Sequence, residues 1–259
     1  MKLLIIPDIS EKIDLSYKAL NQELEYIAQV EKNIVVKKVN SRRIAFGNYL
    51  GCYKNGDAAV FSNKELIATE EIESILGAID AIKAVNHVID YSEAEESDIF
   101  LHGNASVVVD EINERAYCSI SENADEELFI EFCEEFEYNP VFLSSSRFDH
   151  TNEFLFVSEK YALVCLDAIR DKKEKKQLVT TLKKDGVELI NISIDQAEHF
   201  VTQGVEMEGK LLLSQTAIES LDEDIKSKIQ KYVPIVGVDF NLHEKKYGKG
   251  LSNYFINIP

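Results

Sequence analysis

One order of elements recurs along this chain and limits what it can fold into: strand, strand, amphipathic helix, strand, over roughly 40–50 residues each time. The first copy reads as a strand over 58–67, a helix over 70–85 and a strand over 87–91. The second opens with a strand pair in 99–109, passes the polar turn 110–115 into a strand at 116–121, and adds a helix at 124–136 and a strand at 140–145. In the third, a strand at 153–158 turns at Glu159 and Lys160 into 161–166; the helix 172–186 then stops on Gly186 before a strand at 187–193. The fourth has strands in 205–215, a helix over 219–232 and a strand over 233–240. The fifth is divided between the ends, with strands at 254–258, 2–7 and 33–39 and a helix within 10–30.

A unit of this size cannot bury its apolar face alone, so several must pack around a common axis. A doubly wound sheet also alternates strands and helices, but it joins neighbours by helical crossovers. Here the first two strands of the second and third units are joined by short turns, which make antiparallel hairpins. No G-x-G-x-x-G or G-x-x-x-x-G-K loop is present, so no phosphate-cradling nucleotide site is expected. The expected fold is α/β: a five-bladed propeller of strand–strand–helix–strand units about a pseudo-fivefold axis, forming one domain over 1–259.

The net charge of −18 repels phosphate backbones and favours cationic ligands. No stretch approaches the about 20 apolar residues of a membrane span, and residues 2–7 read as a strand rather than a signal peptide. Cys52, Cys118, Cys133 and Cys165 match no zinc or redox spacing, which fits a reducing cytoplasm. Cys118 and Cys165 lie in apolar runs and are expected in the core, whereas Cys52 lies in a loop-like stretch. His87, His199 and His243 are expected at the surface or at strand edges. Residues 93–98 are expected as an exposed loop, and 171–176 as a solvated helix start.

Five blocks carry a family resemblance. Ala59–Asn63 resembles part of Asp-Ala-Val-Phe-Pro-Asn-Asn, and Ile99–Asp110 resembles Phe-Leu-Glu-Gly-Thr-Gly-Ser-Leu-Val-Leu-Asp. Asp149–Ile169 resembles a block that starts Tyr-His-Thr-Asn and ends Glu-Lys-Phe-Ala-Val-Val-Cys-Leu-Glu-Ala-Ile; it is the most specific match. Leu211–Leu221 resembles Leu-Val-Met-Ser-Gln-Arg-Ala, and the segment from Tyr247 to Pro259 resembles the nucleophile turn Gly-Gly-Gly-Ser-Ala-Arg-Cys-Met. Over 57–259 the chain is similar to the amidinotransferase-like citrulline-utilisation hydrolases, related to arginine deiminase, in the guanidine-modifying pentein superfamily.

The resemblance implies a cysteine thiolate that attacks the guanidinium carbon, a histidine acid and base, and two carboxylates that grip the guanidinium. His150 matches the histidine. The nucleophile position is occupied by Asn253, with Ser252 beside it. One carboxylate position falls on Ala58, a residue away from Asp57, and the other on His102. Asp57, Asn63, His102, Asn104 and Asn152 are the candidate substrate contacts. These departures imply a catalytically degenerate member that keeps a pocket for a small guanidino or ureido ligand, or for a protein partner. The alternative is an active C–N hydrolase or amidinotransferase on an arginine- or citrulline-like substrate, with His150 working beside Cys52 or Ser252. His102 and His150, with Asp149 or Asp57, are suitable metal-ligand types but lack ligand spacing, so neither metal nor cofactor is expected. No nucleic-acid or membrane partner is expected, and a homodimer is allowed.

Overall fold

A computed structural model describes residues 2–7, 15–30, 34–39, 45–64, 73, 76–77 and 85–257. Of the helix expected over 70–85, only 73, 76, 77 and 85 fall among these; the first three are helical and Val85 is not, and the rest, like 10–14, lies outside the described residues. The elements are β1 (Lys2–Pro7), α1 (Leu15–Val30), β2 (Ile34–Val39), β3 (Leu50–Cys52), β4 (Asp57–Val60), β5 (His87–Asp90), α2 (Gly103–Ser106), β6 (Val107–Asp110), β7 (Arg115–Ser119), α3 (Glu126–Glu135) and β8 (Asn139–Leu143). They continue with β9 (Leu155–Val157), β10 (Tyr161–Val164), α4 (Lys172–Lys184), β11 (Glu188–Asn191), β12 (Val205–Met207), β13 (Lys210–Ser214), α5 (Gln215–Ser220), α6 (Glu223–Gln230), β14 (Ile235–Val238), α7 (Asn241–Tyr247) and β15 (Phe255–Asn257).

Among the described residues these strands form five three-stranded sheets, ordered β15-β1-β2, β3-β4-β5, β6-β7-β8, β9-β10-β11 and β12-β13-β14. Every sheet has the same pairing: the central strand is antiparallel to the strand before it and parallel to the one after it. The parallel step needs a crossover, which the amphipathic segments supply. Helix α4 illustrates the local logic. Asp171 caps it by accepting from the Lys173 and Glu174 amides, Lys183 and Lys184 sit in its last turn, and Leu178 and Leu182 are buried one turn apart. Gly186 follows at φ 76°, a left-handed conformation that glycine adopts without strain. The central strand β10 is buried throughout, so it reads as an unbroken apolar run.

Several expectations need correction. Residues 58–67 are not one strand: β4 ends at Val60, and its antiparallel neighbour β3 is a buried strand within the stretch taken for a loop. Its flanking glycines and Asn48 imitate turn chemistry, while the ladder with β4 overrides it. Ile99 and Phe100 form no strand; a single bridge at Leu101 precedes the helical turn α2. The helix expected over 219–232 is broken, because Ser214 caps α5 and Asp222 caps α6. His243 is not at the surface: it is fully buried, stacked on Phe240 at 4.6 Å, with Nδ1 2.8 Å from Glu23 Oε2. In the segment 93–98, Glu95 is buried, since its carboxylate accepts from the Asn63 amide. Cys118 and Cys165 are fully buried, as expected.

Five short helical turns lead into the first strands of the five sheets: Phe46–Asn48, α2, Thr151–Glu153, Val201–Gln203 and Leu251–Asn253. Each touches the next and the last touches the first, so they close into a ring. This ring positions the candidate site.

Candidate functional site

The ring is tight because its residues are small at the points of contact. A Cβ on Gly47 would lie 2.7 Å from Asn104 Nδ2 and 2.9 Å from the carbonyl oxygens of Asn253 and Phe255. Each turn also contributes a carboxamide next to a small residue: Gly47-Asn48, Gly103-Asn104, Thr151-Asn152, Thr202-Gln203 and Ser252-Asn253. This pair, recurring roughly every 50 residues, is the signal that would have located Asn48 and Gln203 from sequence.

Hydrogen bonds join three of these carboxamides, those of Asn152, Asn253 and Gln203, and tie a fourth, that of Asn104, to the backbone beside them. Asn104 Nδ2 donates to the Phe255 carbonyl at 2.8 Å. Asn152 Nδ2 donates to Asn253 Oδ1 at 3.1 Å and lies 3.3 Å from Ser252 Oγ. Asn253 Nδ2 donates to Gln203 Oε1 at 2.8 Å and to the Gly250 carbonyl at 3.1 Å. Gln203 Oε1 also accepts from the Gly250 amide at 2.7 Å. Asn253 is therefore bonded at both ends of its side chain and only 2% exposed.

His102 and His150 each stand one residue before their turn, and their rings lie 5.2 Å apart, tilted by 46°. Burial, reinforced for His102 by the His150 ring, pushes His102 down to about 3 and His150 down to about 4. The ammonium groups of Lys249 and Lys64 push both further in the same direction. Both imidazoles are neutral at pH 7. His102 Nε2 and His150 Nδ1 are buried with no hydrogen-bond partner among the described residues. Glu153, which the sequence reading passed over, accepts from the His150 amide at 2.8 Å, and burial pushes its carboxyl upward. Asn63 Nδ2 donates to the Asn48 carbonyl at 3.3 Å, which brings Asn63 and its partner Glu95 against the ring.

The ring and its flanks thus gather Asn63, His102, Asn104, His150, Asn152 and Asn253. Asp57 is not among them. It begins β4, while Leu50, two residues beyond the Phe46–Asn48 turn, pairs with Val60 at the strand's other end. Cys52 is also apart, packed with Phe46, Tyr49, Leu50, Ala58 and Val60, and burial pushes its thiol up to about 12. Burial likewise raises Cys133 to about 12 and lifts Cys118 and Cys165, so the four thiols are protonated at neutral pH. On the strand side of the ring lies a cavity of about 360 Å³, walled by β6, β9, β12 and β15 and floored by Asn104, Asn152, Thr202 and Ser252.

The fold has solved counterparts. ArgZ, an arginine dihydrolase from the ornithine–ammonia cycle in cyanobacteria, superposes with a TM-score of 0.77 at 12% identity over 100% of this chain, which spans 39% of ArgZ. The ArgZ N-terminal domain covalently bound to a reaction intermediate gives 0.74 at 12% identity, covering 100% of this chain and 97% of that domain. A dimethylarginine dimethylaminohydrolase variant, as the adduct with S-methyl-L-thiocitrulline, gives 0.68 at 11% identity and 98% coverage of both chains. No curated protein matches the chain at the sequence level. The α/β fold is that of the pentein arginine-modifying enzymes. Within them the chain belongs to the family described as N,N dimethylarginine dimethylhydrolase, eukaryotic, whose profile matches residues 27–251.

Proposed function

We propose that this chain is a catalytically inactive pentein: a single five-bladed domain that holds a small ureido or guanidino ligand at the histidine end of its ring. The observation that carries this reading is Asn253, a carboxamide at the nucleophile position with both side-chain ends committed to neighbours. An amide nitrogen has no lone pair available for attack, and none of the four thiols combines ionisation with a place beside His150. A base with pKa near 4 is also poorly matched to proton transfer at neutral pH.

Electrostatics narrows the ligand. The neutral His102 replaces a carboxylate, and Lys64 and Lys249 act on both imidazoles. This surrounding disfavours a guanidinium cation and suits a neutral ureido group, whose carbonyl accepts hydrogen bonds and whose N–H groups donate to unprotonated ring nitrogens. The test is a thermal-shift and turnover screen with citrulline, arginine, agmatine and methylated arginines. Stabilisation by citrulline without product formation supports the reading. Turnover that disappears in His150→Ala overturns it.

A further inference from the structure

We propose that the cavity on the strand side of the ring is a second binding site, and that it takes a small organic cation of the aliphatic amine class. His102, His150 and Asn253 do not line it, and it shares only Asn104 and Asn152 with the residues gathered at the ring. The histidines precede the turns and the walls follow them, so the carboxamide ring stands between the two. At about 360 Å³ the cavity falls within the usual size of small-molecule sites.

Its chemistry selects the ligand. Two carboxylates, Glu206 and Glu208, face it with one ammonium, Lys2, whose Nζ donates to Asn257 Oδ1. Lys2 lies in the field of Glu206 and of Glu111, and among the charged side chains that line the cavity carboxylates outnumber ammonium groups two to one. The fully buried Tyr161 donates to Glu206 Oε2 at 2.9 Å and fixes that carboxylate in place. On the floor, Thr202 is 1% exposed, and its buried Oγ1 has no hydrogen-bond partner among the described residues. Between these polar ends run Val107, Val109, Leu155 and Val157, a lining suited to methylenes. A polar end at the carboxylates, an apolar middle and an unsatisfied hydroxyl at the base match an alkyl amine better than a hydrated metal ion.

The test is isothermal titration of the full chain with 1,4-diaminobutane, which carries no guanidinium or ureido group. Binding is expected to the unmodified protein and to His150→Ala with equal affinity. Glu206→Gln is expected to weaken it by about tenfold or more, the loss of one charge-assisted hydrogen bond. If circular dichroism shows Glu206→Gln misfolded, Glu208→Gln at the exposed hairpin tip takes its place and is expected to weaken binding as well. Absence of binding at millimolar diamine, affinity unchanged in the folded carboxylate variant, or loss of binding in His150→Ala would each overturn the proposal. Because the two ends are read by different ligands, failure at the histidine end leaves this result standing.

Discussion

At the scale of single residues, Asn253 is a structural part rather than a spent catalyst. Asn253→Cys installs the sulfur expected of the family yet removes bonds to Gln203 and Gly250 and leaves Asn152 short of an acceptor. We expect no turnover and a stability loss of about 1–3 kcal/mol, read from urea unfolding. The histidines set a pH dependence. Both sit below the usual 6.5, at about 3 and about 4, so the unfolded chain binds more protons than the native one in that interval. Their contribution is fully present above pH 6.5 and is lost as pH falls through about 4 for His150 and about 3 for His102. Urea midpoints measured across that range should fall less steeply for a His102→Asn/His150→Asn variant. His150 and Asn253 were legible in the sequence because short motifs carry them. Glu153 and Glu95 were not, since their partners are fixed by burial and contacts that no spacing reports; Gln203 was missed although its pairing with Thr202 repeats the small-residue–carboxamide signal of the other turns.

At the scale of elements, close approach dominates. Gly47→Ala would force a methyl group against Asn104 and two carbonyl oxygens, all under 3 Å from it. Backbone cannot yield there without opening the ring, so a loss of about 2–4 kcal/mol is expected in thermal or urea denaturation. Asp171→Ala removes two cap bonds from the exposed start of α4 and should cost only about 1 kcal/mol. The helices and central strands were readable because their periodicity is strong and their caps are local. Strand β3 was missed because it is three residues long and flanked by turn-forming residues; only pairing with β4 makes it a strand. The break between α5 and α6 went unread for the opposite reason, as Asp222 caps a new helix inside a continuous apolar pattern.

At the scale of the whole molecule, the sheet β15-β1-β2 joins the two ends of the chain, with Lys2 opposite Asn257 and Leu4 opposite Phe255. Such pairing closes a very long loop and should form late in folding. Deleting residues 254–259 removes both that strand and its hold on Asn104, so loss of a cooperative thermal transition is expected rather than a local defect. The repeat order was legible from sequence because the second, third and fourth units each carry a hairpin and a helix within one stretch. How the units meet was not, because the meeting points are single glycines and amides.

The interlocked amides have a kinetic consequence. Asn152, Asn253 and Gln203 are each no more than 4% exposed and bonded in series, so none can swing aside without first breaking a bond to the next, and any local opening at this point must be concerted.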